Sequence, residues 1–97
     1  MTKTELKKLS ESIVLPKGWV VQETYPRSKN NPNDMIVLGY PIEERLNVSY
    51  ETRRRKFNKV LKQLNSSNDS SRKWVEFGGG YGVGGKYYDV TIGLKQY

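Results

Sequence analysis

Neither cysteine nor histidine occurs anywhere in the chain. The first absence excludes disulfides, thiolate metal ligands and cysteine nucleophiles, and the second removes the commonest general base and the commonest zinc ligand. No apolar run approaches the ~18 to 20 residues that a membrane-crossing helix needs. The amphipathic, lysine-containing start has no signal-peptide core, so a cytoplasmic location without membrane contact is the expectation. The only adjacent acids, Glu43 and Glu44, would point to opposite faces of a strand and do not make an acid/base pair, while the serines lie mainly in linkers with no imidazole to activate them. These gaps leave no catalytic residues, no metal site and no cofactor to nominate, and the chain reads as a non-enzyme.

What is present is a folded domain with a lopsided charge. Ninety-seven residues allow one modest core, and 35% hydrophobic residues with eleven aromatics fit a globular chain. The net charge is +7. Segments 1–11, 12–48, 49–73 and 74–97 carry +1, 0, +6 and 0, so nearly all of the excess sits in one place. Such a concentration is the electrostatic footprint of a surface for a polyanion or an acidic partner.

Thr2 and Glu5 have the spacing of a capping box, and Leu6, Leu9 and Ile13 share a helical face, which gives a helix over about 3–11. Pro16 and Gly18 break it. WVVQETY (19–25) and MIVLGY (35–40) have strand composition, the second apolar enough to be central, and PRSKNNPND (26–34) between them reads as a flexible, turn-rich loop. Leu46 and Val48 alternate with Arg45 and Asn47, consistent with a short third strand. Ser49 then caps a helix to Leu64, with Glu51 in its first turn and Phe57, Val60, Leu61 and Leu64 as its apolar stripe. After a polar linker (66–72), residues 73–95 alternate as a hairpin around a glycine-rich tip (78–85). The order α-β-β-(β)-α-β-β predicts an α+β fold in which a small antiparallel sheet carries two helices on one face.

The tip GGGYGVGG contains two literal phosphate-loop patterns, GxGxxG at Gly80, Gly82 and Gly85, and GxxxxGK from Gly80 to Lys86. Both require the glycines to open a helix, whereas YYDVTIGL continues as a strand, and Tyr87 stands where a P-loop has its hydroxyl. The stretch reads instead as a hairpin tip with little steric restriction.

The informative segment is SYETRRRKFNKVLKQL (49–64). At about 100° per residue, Arg55, Lys59 and Lys62 lie opposite the apolar stripe as an outward ridge. Arg53 and Arg54 instead flank or enter the apolar sector, near a helix end whose dipole favours anions. Either Arg53 or Arg54 pairs with Glu43, Glu44 or Asp89 in the fold, or an anion rests there, since guanidinium forks suit phosphate oxygens. The candidate nucleic-acid or anion-binding set is therefore Arg53, Arg54, Arg55, Lys56, Lys59 and Lys62, extended by Arg72 and Lys73. Tyr50, Tyr81 and Tyr87 are candidates for base stacking or partner contact, whereas Trp19 and Trp74 are assigned to the core. The partner expected is DNA or RNA. The alternative is an acidic or nucleic-acid-binding surface of a larger enzyme, which a phage- or mobile-element-type inhibitor would occupy.

In outline, α-β-β-β-α over the first 64 residues with a basic start to the second helix is similar to a double-stranded-RNA-binding domain, and LPKGW followed by strands and a helix is similar to methyl-CpG-binding domains. The chain departs from both: the Gly and Lys-Lys-x-Ala-Lys signature of the first and the remaining motif of the second are missing, so neither family is assigned.

Overall fold

The computed structural model describes residues 1–66, 71–81 and 86–96, and of Tyr81 the backbone only. In chain order the elements are α1 (Lys3–Ser12), β1 (Val20–Tyr25), β2 (Met35–Pro41), α2 (Ile42–Asn47), α3 (Tyr50–Asn65), β3 (Arg72–Tyr81) and β4 (Tyr87–Gln96). The four strands form one antiparallel sheet in the order β1-β2-β4-β3. The apolar β2 is thus central, as its composition implies.

Strand alternation sends one side chain in two to each face of the sheet. Ile36, Leu38 and Tyr40 of β2 pair with Ile92, Val90 and Tyr88 of β4, and this face receives both long helices. Leu6 of α1 and Phe57, Val60 and Leu64 of α3 are buried in the same cluster as Trp19 and Trp74. The helices therefore cover one face, and both tryptophans are core residues.

Local chemistry accounts for the element ends. Thr2 and Glu5 exchange side-chain and backbone hydrogen bonds at 3.1 Å, a complete capping box, and these bonds hold the Glu5 carboxyl below its usual pKa. Ser49 accepts from the Thr52 N–H at the start of α3. The Trp19 N–H bonds to the Pro16 carbonyl at 3.0 Å, closing a turn whose third residue, Gly18, has φ +86°. Beyond α1, the Gln63 amide clasps Val14 through both its oxygen and its nitrogen. The Asn65 amide does the same to Trp74, taking its N–H at 2.7 Å and its carbonyl at 3.1 Å, and so fixes the C-terminal end of α3 against β3. Asp34, buried at the end of the 26–34 loop, accepts from the Arg27 N–H and the Met1 amine.

Two boundaries differ from the sequence reading. The segment around Leu46 is a helix, not a strand. Both edges of β2 are already taken by β1 and β4, so a strand there could not pair back onto β2, and the alternation of Leu46 and Val48 reflects no buried face: Leu46 is 80% exposed. Pro41 (φ −58°) starts the turn, and Glu43 and Glu44 in the first turn with Arg45 in the last suit a helix dipole. This also removes the α-β-β-β-α outline on which the likeness to double-stranded-RNA-binding domains rests. The second difference is that β3 runs into the glycine cluster: Gly78, Gly79, Gly80 and Tyr81 pair with Thr91, Val90, Asp89 and Tyr88, after a register shift between Glu76 and Gly78. The rest of the expected tip (82–85) and the middle of the 66–72 linker (67–70) lie outside the described residues.

Candidate anion-binding surfaces of helix α3

The basic helix divides into three groups by direction. Arg55, Lys59 and Lys62 are exposed on its outer side, and none of them has a carboxylate within ion-pair distance among the described residues. Like charges at this spacing repel by ~0.2 to 0.5 kcal/mol per pair. The ridge runs over seven residue steps from Arg55 to Lys62, about 10 Å at the helical rise.

Arg54 and Lys56, on the two flanks, are engaged within the fold. The Arg54 Nη1 donates to Glu76 Oε1 of β3 at 2.9 Å, and its guanidinium lies over the Phe57 ring at 5.2 Å. The Lys56 ammonium meets Glu44 of α2 at 3.0 Å, while the other oxygen of Glu44 accepts from the Trp19 indole N–H at 3.1 Å. With side chains 39% and 40% exposed, the Arg54–Glu76 pair contributes little to stability. Its effect is to take Arg54 partly out of play for a ligand. Glu44 is one of the acids expected to pair near here, but its cation is Lys56 rather than an arginine. Asp89 instead accepts a hydrogen bond from Gln22.

Arg53 is the exception. It stands on the inward side of α3, where the stripe that continues through Phe57 would call for an apolar residue. Its Nη1 donates to the Tyr40 hydroxyl at 3.1 Å, and its guanidinium lies 5.8 Å from the centres of both the Tyr40 and Tyr50 rings. No carboxylate pairs with it among the described residues, and its Nε is buried without a protein acceptor. Around it opens a cleft of about 70 Å³. Trp19, Tyr40, Phe57 and Val90 form the floor, with the Trp19 and Tyr40 rings stacked at 5.2 Å. Tyr50, Arg54 and Glu76 complete the rim, and Tyr50 is 67% exposed.

The remaining nominated residues lie elsewhere. Arg72 and Lys73 are exposed at the start of β3. Trp74 points into the core, so alternation sends Lys73 to the open face of the sheet, away from α3 and directly opposite Lys95. Tyr87, half-buried and paired in register with Pro41, is on that open face too, because its neighbour Tyr88 packs on the core side against Tyr40. Tyr81 ends β3 opposite Tyr88. The structure thus brings Tyr50, Arg53 and Arg54 into one cleft and Arg55, Lys59 and Lys62 into one ridge, and it separates both from Lys73 and Tyr87.

Three participants carried no signal on their own in the sequence. Glu76 lies 22 residues from Arg54, and nothing local marks it as a partner. Trp19 reads as a core residue and Tyr40 as the end of a central strand, and both are buried, yet they also line the cleft. Among the described residues no cluster of acidic side chains suits a metal ion, and no helix is long and apolar enough to cross a membrane. No protein-family model matches the chain, and searches of curated proteins and of solved structures return no match either.

Proposed function

We propose that this is a small, non-enzymatic nucleic-acid-binding protein whose ridge of Arg55, Lys59 and Lys62 lies along a phosphate backbone. The observation that carries this reading is the ridge itself: three exposed cations on the outer side of a 16-residue helix, with no carboxylate in ion-pair distance among the described residues, while the neighbouring Arg54 and Lys56 are paired. At about 3.4 Å per phosphate on one strand, a 10 Å ridge covers about three phosphates. Contacts of this kind position a protein on nucleic acid without reading sequence.

Fluorescence polarisation against labelled duplex and single-stranded oligonucleotides over a salt series tests the proposal. Three neutralised phosphates on duplex DNA give a log–log slope of about −2.7. Combined reversal to glutamate at Arg55, Lys59 and Lys62 should abolish that slope and leave the far-UV circular dichroism unchanged, because all three side chains are in solvent. A variant that binds with the parent's affinity at every salt concentration refutes the reading. Capture of a nuclease-resistant protein partner, lost in the same variant, would transfer the ridge to an acidic protein surface.

A further inference from the structure

The cleft around Arg53 is not explained by packing. A domain this small gains most from apolar side chains on the inward face of its main helix, yet that face holds an arginine among aromatic rings. An ionised group held partly out of water without an opposite charge is costly. On each side of it, Arg54 and Lys56 have carboxylates, and among the described residues Arg53 has none. Its fork is also half used: Nη1 is bound to Tyr40, while the Nε–H meets no protein acceptor.

From this geometry we infer that the cleft is a binding site for a phosphate monoester carried on a planar ring, with the phosphate on Arg53 and the ring against Tyr50. A guanidinium can donate two N–H groups side by side to two oxygens of one phosphate, and Arg53 lines the cleft with its Nε–H still without a protein acceptor. The cleft is small, about 70 Å³, and open at its mouth, so with the phosphate on Arg53 the attached ring lies at the mouth, where Tyr50 is exposed and available for stacking. The stacked Trp19 and Tyr40 rings form an aromatic floor, and the lower local dielectric beside it strengthens the charge contact. Arg53 lies about 120 to 180° around α3 from the ridge residues, so the inference does not depend on the ridge. Two sources present the same chemistry, a free nucleotide and the 5′-phosphorylated end of a strand.

Trp19 lines the cleft and Trp74 is sealed in the core, so tryptophan fluorescence reports on the site. The protein is titrated with adenosine 5′-monophosphate, with adenosine, with inorganic phosphate, and with a thymidine dinucleotide with and without a 5′ phosphate. Saturable binding of the monophosphate is expected, with adenosine weaker by about tenfold or more, the factor for losing a charge-assisted contact. Arg53→Met should lose the response, and Arg53→Lys, which keeps the charge but not the fork, should weaken it. Alanine at Arg55, Lys59 and Lys62 together should leave it unchanged, which separates this site from the ridge. Binding of the phosphorylated dinucleotide alone would support the site and assign it to strand ends. If the monophosphate binds no better than adenosine and the 5′ phosphate adds nothing to the dinucleotide, the inference is overturned without recourse to any variant. Undiminished binding by a folded Arg53→Met protein overturns it equally.

Discussion

Replacing Arg53 by methionine should leave the protein about as stable as it is, an unusual outcome for an inward-facing helix position. The losses are one hydrogen bond from a charged donor to Tyr40, worth about 1.5 to 3 kcal/mol, and two guanidinium–ring contacts. At 5.8 Å these are near the limit of useful range, so each contributes about 0.5 kcal/mol. The gains are removal of the buried, unmatched Nε, which costs about 1 to 3 kcal/mol, and placement of a flexible apolar chain against Tyr40 and Phe57. Gains and losses nearly cancel, and the net change should stay within about 1 kcal/mol. For a chain of this length that is a shift of about 4 to 8 °C or less in melting temperature. Phe57→Ala, one turn further along the same stripe, supplies the contrast, since truncating a buried phenylalanine costs about 3 to 5 kcal/mol. Urea unfolding followed by circular dichroism measures both. A loss above about 2 kcal/mol for Arg53→Met would show that the arginine is a strut whose contacts repay its burial, leaving no unmet charge for a ligand in the cleft to satisfy.

Other outcomes follow from features away from the cleft. Gly18→Ala should destabilise by about 1 to 2 kcal/mol in the same urea assay, because φ +86° is unfavourable for an L side chain and the new methyl would sit 3.1 Å from the Pro41 ring. The capping box makes α1 sensitive to acid. The folded-state pKa of Glu5 is lowered by its bonds to Thr2, so its contribution is present above the ordinary carboxylate range and disappears as pH falls through the lowered value. Below about pH 4, the parent should therefore lose helicity more steeply than Glu5→Gln, and parallel circular dichroism titrations with equal slopes would contradict this.

Much of the framework was legible because it is local. The capping box, the Ser49 cap and the Phe57–Val60–Leu64 stripe each involve residues within two turns of one another, and the alternation over 73–95 marks two strands that do pair, as β3 and β4. The segment at Leu46 was misread because two alternating pairs are too few to separate a strand from a short helix. What decides the matter is tertiary: β2 has no free edge for the segment to turn back onto, and Leu46 meets no buried face. The candidate site was legible only in part. The helical wheel distinguished the outward residues from Arg53 and Arg54, but which acids reach the flanks depends on how α2 and β3 lie beside α3. Glu76 and Glu44 look no different in sequence from Glu23 or Glu43. The direction of Lys73 is likewise settled by its neighbour Trp74, whose burial commits the residues on either side of it to the far face.

The Asn65 amide has a consequence for how these molecules behave in company. β3 forms an outer hem of the sheet, and a hem of unclaimed peptide groups is a template on which any extended chain can add itself. At Trp74 that invitation is withdrawn, since both outward groups are held by a side chain of the same molecule. Four residues on, the break in register before Gly78 bends the hem out of line. Crowded copies thus meet a border already stitched at one point and crooked at the next, and stacking into filaments along it is discouraged from within.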